Sequence, residues 1–247
     1  MISNAPLALE VKGLTAAYAS QSVLADLNLR VHLGEWVGVI GPNASGKTTL
    51  LHCVAGLVPP VSGSIAIGGR ALGSDAREAK RRLGFACAVD RLPELLTGRQ
   101  CLEVYAAAKE LASVDAEVLG LAEQFHCHAL LDQFVETYSL GTRQKLCVLL
   151  ALLGEPQLIV LDEAFNGLDP RSALTLKRHL RSRVTAGRCG VLLATHDLGL
   201  IEHYTDRVAL LLDRRIVHEW AAAQMKALRA AAESGFEEAL AAAAECP

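Results

Sequence analysis

Apolar and polar positions alternate through residues 7–40, in the runs LALEVKGL, VLADLNLRV and EWVGVI. Alternation of period two predicts half-buried strands, and their close spacing predicts antiparallel pairing. SIAI (64–67) alternates again before Gly68 and Gly69, which predicts one more strand of that small sheet. DAREAKRR (75–82) reads as a solvated helical face. Between about 90 and 150 the pattern changes: Leu and Ala dominate, Val and Ile thin out, and charges fall at helical spacing. This predicts an inserted helical region. Its first helix lies in LTGRQCLEVYAAAKEL, with Thr97 as N-cap and Gln100 closing a capping box. Further helices are predicted over 115–125 and 129–134, and a long one over LCVLLALLG. VGVI (37–40), LIVL (158–161) and VLLAT (191–195) are continuous apolar runs, the signature of strands buried on both faces. Alternation over 206–212 predicts a last strand, with Arg214 and Arg215 where a tight turn is expected. From 221 onward the Ala-rich tail is helix-prone by propensity and is interrupted by Gly235.

Composition narrows the classes. The 247 residues are 51% hydrophobic and 21% charged, enough for a sizeable core. A net charge of −3 gives no basic footprint for nucleic acid. Seven scattered cysteines without a C-x-x-C read as small core residues in a reducing compartment. The N-terminal MISNAPLALEVK has no signal-segment pattern, and no apolar run reaches membrane-span length, so any membrane role is expected to come through a partner.

The candidate chemistry starts at GPNASGKTT: Gly41, Pro42, Asn43, Ala44, Ser45, Gly46, Lys47, Thr48 and Thr49. It fits G-x-x-x-x-G-K-[ST] between a strand and a helix, the context that makes a phosphate-binding loop. Gly41 and Gly46 let the backbone turn its N–H groups inward, and the helix N-terminus adds positive potential. Lys47 can reach β- and γ-phosphates, and Thr48 can ligate Mg²⁺. LIVLDE ends a strand in two carboxylates: Asp162 can hold Mg²⁺ through its water shell, and Glu163 can orient or deprotonate an attacking water. Both could instead cap a helix. His196 ends the strand after that, where it can donate to a γ-phosphate or the water, or serve structure alone. Ser139 and Gly141 precede a long helix, a phosphate-facing N-terminus or a plain cap. Asp169 before Pro170 is explained by capping, with a nucleotide role additional. Tyr18, read as a loop residue, either packs on the sheet or stacks on adenine. His126-Cys127-His128 reads as packing rather than metal ligation, because adjacent residues rarely face one ion.

Taken together these motifs resemble the nucleotide-binding subunit of an ATP-binding-cassette (ABC) transporter, over about residues 7–220. GPNASGKTT resembles the family's Walker A, LIVLDE its Walker B, YSLGTRQ its signature, NGLD its D-loop and His196 its switch histidine; Tyr18 stands where the family keeps an adenine-stacking ring. The resemblance implies an α/β fold: a P-loop NTPase core with a mostly parallel sheet, an N-terminal antiparallel β-subdomain and an inserted α-helical subdomain over about 90–150. It implies one domain over 1–220, followed by the helical tail at 221–247. It also implies an ATPase using ATP and Mg²⁺, closing head-to-tail with a second copy or another ATP-binding chain. Such a subunit is peripheral to the cytoplasmic face of a membrane, drives an integral-membrane permease, and is exporter-like here. A soluble ABC-type ATPase and a weakly hydrolysing regulatory module are the alternatives. Two departures stand out. The signature carries Leu140 before Gly141 where two glycines are usual. Ala88 occupies the place of the family's Q-loop glutamine, with Asp90 the nearby polar substitute.

Lys47 carries the one full positive charge that the loop aims at the phosphates. Lys47→Ala should abolish nucleotide binding or turnover; unchanged affinity and rate would refute the phosphate-loop assignment.

Overall fold

A computed structural model describes residues 5–19, 21–230 and 235–245. The chain opens with β1 (Leu7–Tyr18) and β2 (Gln21–His32), which pair antiparallel, followed by β3 (Trp36–Ile40) and α1 (Lys47–Val54). β4 (Ser62–Ile67) and β5 (Arg70–Ala71) return to β1, completing a four-stranded sheet of order β2-β1-β4-β5. Its strands alternate as the sequence predicts, and Gly68 and Gly69 turn the chain between β4 and β5. Tyr18 is the last residue of β1, paired with Gln21, rather than part of a loop.

β3 departs from the antiparallel expectation. It leaves the small sheet and pairs parallel with two strands that come more than 150 residues later. The reason is its content: Trp36 to Ile40 is buried at every position, which suits a central strand and not a half-exposed one. After α2 (Ala76–Arg81) comes β6 (Leu83–Ala86), from which the chain departs into the helical region. That region holds α3 (Gly98–Ala108), α4 (Ala116–Gln124) and α5 (Leu140–Leu152). The capping box forms as read: Gln100 N donates to Thr97 Oγ1 (3.2 Å) and Thr97 N to Gln100 Oε1 (2.9 Å).

The helix expected over 129–134 does not form. A single 3₁₀ turn takes in its start and another follows its end, and its backbone pairs with the start of α3 instead: Gly98 N donates to Gln133 O, and Arg99 N to Leu131 O. α5 begins at Leu140, six residues before the apolar run, because Ser139 caps it there. Gly141 therefore lies inside its first turn.

The chain then builds the rest of the large sheet with β7 (Leu158–Asp162), α6 (Pro170–Thr185), β8 (Gly190–Ala194), α7 (Leu198–Tyr204) and β9 (Arg207–Leu212). An edge strand that the sequence reading lacks, β10 (Arg215–Trp220), turns back antiparallel on β9. Its turn is made by Asp213 and Arg214, both left-handed (φ 44° and 71°), so the pair of arginines hides a real hairpin. The sheet order is β10-β9-β3-β8-β7-β6. β3, β6, β7, β8 and β9 run parallel.

Side chains from the two faces of this sheet feed two cores. Val37, Val39, Val160, Leu192 and Ala209 face α1 and the four-stranded sheet. Ile159, Leu161, Val191, Leu193 and Val208 face α5, α6 and the helical region. The tail joins the second core. In α8 (Ala222–Ala230) Met225 is buried, and in α9 (Gly235–Glu245) Phe236 is buried against Trp220, ring centroids 5.5 Å apart. Gly235 opens α9 rather than merely breaking a helix; residues 231–234 lie outside the described ones.

β6 and α5 pack closely enough that only glycine fits at Gly84, where a Cβ would strike the Ala151 carbonyl. Gly84→Ala should lower the unfolding free energy by about 1–3 kcal/mol, the usual scale of overpacking. Gly73→Ala, with nothing near its would-be Cβ, should stay within about 0.5 kcal/mol of wild type. Equal urea midpoints for the two variants would contradict the close β6–α5 contact.

Candidate nucleotide-binding site

Parallel pairing brings the C-terminal ends of β3, β7 and β8 to one edge, since Val39 lies opposite Ala194, and Ala194 opposite Asp162. Ligands bind at this edge in open α/β sheets. From β3 the chain enters the loop 41–46 and then α1. Gly41 and Gly46 hold φ of 156° and 108°, and Ala44 lies at 64°. A side chain at Gly41 would strike the Leu211 carbonyl, and one at Gly46 would meet Leu24 Cδ2 at 2.8 Å. Gly46 caps α1 without any side-chain acceptor, which leaves the first-turn N–H groups uncapped. Ser45 Oγ is buried in the loop with no hydrogen-bond partner. An uncapped N-terminus beside an orphan hydroxyl is the donor set a phosphate fits. Lys47 folds over this loop, its Nζ donating to Gly41 O (2.8 Å) and Pro42 O (2.9 Å).

Thr48 lies close enough to the Asp162 carboxylate to favour its charged form, so the two oxygen donors expected at Mg²⁺ are already neighbours. Burial pushes the Asp162 carboxyl above its ordinary range, opposed by the nearby Thr48 hydroxyl. The pair fits a magnesium ion that keeps most of its waters.

Glu163 follows directly, in a left-handed backbone (φ 48°) that turns it out of line with β7 while its N–H donates to Ala194 O. Its carboxylate is held on three sides. Thr195 Oγ1 donates to Oε2 at 3.0 Å, Asn166 Nδ2 donates to Oε2 at 3.2 Å, and His196 Nδ1 lies 3.0 Å from Oε1. His196 itself is exposed. The sequence reading names His196 for phosphate or water and gives Thr195 and Asn166 no role. Nothing in the linear sequence says that β7 and β8 are neighbours in this register, and that adjacency is what sets Thr195 on Glu163.

Ser139 caps α5: Thr142 N donates to its Oγ at 3.2 Å, and the Thr142 hydroxyl lies 2.9 Å away. Ser139 and Leu140 stand exposed, although α5 is buried from Leu146 onward. Gly141 is glycine because a Cβ would come within 2.8 Å of the Gly167 carbonyl. Asp169, offered by the sequence as a nucleotide contact, is engaged within the chain. Ser172 N and Oγ donate to it at 2.9 and 2.7 Å, and Lys145 Nζ pairs with it at 2.7 Å. Lys145 thus ties α5 to the loop before α6.

Tyr18 is half exposed and lines a cavity of about 790 Å³ with His52, Phe85 and Asp90. It is absent from the groove lined by Pro42, Asn43, Ala44 and Ser45. Ala88 and Asp90 border the first cavity on the segment leaving β6. Cys127 is buried, and among the described residues no group of three or more metal-ligating side chains forms.

The family model for ABC transporters matches residues 24–166, from β2 past Glu163. An uncharacterized ABC transporter ATP-binding protein, YdbJ, of Bacillus subtilis (strain 168) is 34% identical over 82% of the chain and 66% of its own length. The Nod factor export ATP-binding protein I of Rhizobium etli (strain ATCC 51251 / DSM 11541 / JCM 21823 / NBRC 15573 / CFN 42) is 30% identical over 86% of the chain and 67% of its own length. The chain thus spans about two thirds of the length of these curated relatives. A solved ATP-binding subunit of an ABC transporter superposes with a TM-score of 0.82 at 31% identity, covering 93% of this chain and 98% of that one.

The Lys145 ammonium, with the Ser172 bonds, holds the Asp169 carboxyl well below the usual carboxylate range. A depressed folded value contributes stability above the unfolded pKa of about 3.9 and loses it as pH falls toward the folded value. Asp169→Asn keeps a good cap but removes the charge. Wild type should therefore be more stable than Asp169→Asn by a constant margin from pH 5 to 7, shrinking below about pH 4. A margin that is flat through pH 2 in thermal melts would show that the ion pair contributes nothing.

Proposed function

The chain belongs to the ABC transporter family as an ATP-binding chain, and from that premise we propose that it is the ATP-hydrolysing subunit of an exporter. Its cargo passes through a separate integral-membrane permease. The observation that supports turnover best is the carboxylate of Glu163, fixed by Thr195, Asn166 and His196 beside the Thr48–Asp162 pair. The similarity to a Nod factor export protein favours export.

The roles proposed here combine this geometry with the family resemblance. Loop N–H groups of 41–46 and the N-terminus of α1 bind the phosphates of ATP. Lys47 leaves the Gly41 and Pro42 carbonyls for the β/γ-phosphates, a short swing of a long side chain. Thr48 and Asp162 would hold Mg²⁺, which supplies charge neutralisation on the phosphates when bound. Glu163 takes a proton from the attacking water as the bond to the γ-phosphorus forms and ADP leaves. Thr195 and Asn166 keep the carboxylate pointed. His196 holds one side of it through Nδ1, and its other ring nitrogen is the one available to the γ-phosphate. Tyr18 stacks on adenine after its strand end closes over the nucleotide. Asp90 stands in as the polar contact where the family's glutamine is Ala88.

Ser139 and Gly141 act on a second copy, or on another ATP-binding chain. The exposure of Ser139 and Leu140 at the capped start of α5 supports a role facing outward. ATP then joins two chains, and hydrolysis removes the γ-phosphate contact between them. Asp169 acts from the loop that Lys145 clamps to α5. The permease docks on the helical region of about 90–137, where Leu95, Val104 and Phe134 are exposed apolar side chains. No helix among the described residues is long and apolar enough to cross a membrane. The chain would work on the cytoplasmic face of the membrane, held there by the permease. A regulatory module that barely hydrolyses ATP is favoured only by Ala88.

Glu163→Gln keeps shape and hydrogen bonding but removes the base. Turnover should fall by about 10²–10⁴-fold with nucleotide binding retained. With ATP and Mg²⁺ this variant should elute as a dimer, wild type with ADP as a monomer, and Ser139→Arg in the Glu163→Gln background as a monomer again. A Glu163→Gln protein that stays monomeric at saturating ATP with its permease present would sink the composite site.

A further inference from the structure

Two thiols stand where the helical region joins the core. Cys87 is the first residue after β6, on the segment that leads out of the large sheet. Cys147 lies in α5, the helix that leads back toward β7. Their sulfurs are 3.7 Å apart across 60 residues of chain. Most of the helical region, α3 and α4 included, is threaded between them. A covalent link at this point would therefore close both chain crossings at once.

The two sulfurs differ in access. Cys147 is fully buried. Cys87 is only partly buried and lines the cavity of about 790 Å³, beside Ala88, Asp90, Tyr105 and Lys109. The Cys87 S–H points at the Cys147 sulfur. That contact lowers the Cys87 thiol below its ordinary value, while the same contact and burial push Cys147 up. Among the described residues the other thiols do not share this arrangement: burial pushes Cys53, Cys101 and Cys127 up to about 11, and Cys189 up as well. A partly accessible sulfur 3.7 Å from a buried partner is the layout of an attacking and a resolving cysteine.

We propose that Cys87 and Cys147 form a reversible disulfide that clips the helical region to the core and stops turnover. The oxidant is a hydroperoxide. The Cys87 thiolate attacks one peroxide oxygen; an S–O bond forms, the O–O bond breaks, and hydroxide leaves, taking a proton to become water. The Cys147 sulfur then attacks the Cys87 sulfenic acid. An S–S bond forms, the S–O bond breaks, and the Cys147 proton leaves with the oxygen as a second water. Two thiols and one hydrogen peroxide thus give one disulfide and two waters. The sulfurs must close from 3.7 Å to about 2.05 Å, which brings β6 and α5 together across a contact they already make. A dithiol reverses the bond by exchange.

The effect on turnover rests on the ATPase reading above; formation of the bond does not. The helical region carries Ser139 on α5, so fixing α5 to β6 restrains the element that must reorient when two chains close on ATP. The full-length purified chain is reduced, freed of reductant and exposed to hydrogen peroxide. It is then digested without reduction and mapped by mass spectrometry, with phosphate release measured in parallel. A peptide pair joining Cys87 to Cys147, 2 Da lighter than the two thiol peptides, is expected. Phosphate release should drop by at least roughly fivefold and return with dithiothreitol. Cys87→Ser and Cys147→Ser should each keep their turnover through the same treatment. No Cys87–Cys147 peptide, or Cys87 joined to Cys101 instead, overturns the site. The mapped bond with unchanged turnover overturns the switch. Lack of phosphate release by the reduced wild type counts against the ATPase reading, and the mapped peptide still decides the disulfide.

Discussion

Parallel pairing of β3, β8 and β7 is the constraint on which the site depends. The three strands are buried on both faces, so they can only be central, and central parallel strands all end at the same edge. With Val39 opposite Ala194, and Ala194 opposite Asp162, three remote pieces of chain arrive side by side: the loop 41–46, the Asp162–Glu163 carboxylates and the Thr195–His196 pair. A one-residue slip of β7 against β8 would reverse every side chain of the strand and take Thr195 off Glu163. Close packing guards that register from the other side, where α5 and β6 meet at Gly84.

Around this edge the chain uses backbone geometry to place chemistry. Positive φ at Gly41, Ala44 and Gly46 curls the loop 41–46, and Glu163, also at positive φ, turns its carboxylate off the end of β7 toward Thr195 and His196, which follow β8. Positive φ at a residue with a Cβ is uncommon and carries a conformational cost. Here the Glu163 N–H bond to Ala194 O and the three side-chain contacts offset it. The helical region and the tail are tied to this frame by separate devices. Lys109 donates to Leu83 O and Leu153 O, Lys145 pairs with Asp169, and Phe236 packs on Trp220.

Much of this was legible along the chain. The glycine-rich turn between a strand and a helix, the strand ending in two carboxylates, the capping box at Thr97 and the cap at Asp169 are local signals, and the structure carries each of them. What escaped was non-local or disguised. β3 looks like one more strand of the N-terminal meander until its five buried positions find partners far along the chain. β10 was hidden because its turn is Asp213 and Arg214 with no glycine, and arginine rarely takes left-handed backbone. The stretch 129–134 has helical composition but spends its hydrogen bonds on the start of α3. Thr195 could not be singled out, since its importance lies in which strand is next to it. Tyr18 remains an assignment by resemblance: its ring borders a cavity other than the phosphate groove.

If the fixed Glu163 carboxylate is what makes this chain a hydrolase, its strongest neutral donor should matter to turnover and not to binding. Thr195→Val removes the 3.0 Å hydroxyl bond at nearly constant volume in a buried place. Single-turnover phosphate release, measured beside equilibrium ATP affinity, tests this most directly. A bond to a charged group is worth about 1.5–3 kcal/mol, so release should slow by roughly 10- to 100-fold, with affinity within about twofold of wild type. Release at the wild-type rate would contradict the account, because Glu163 would then work without the support that the fold of β7 against β8 provides.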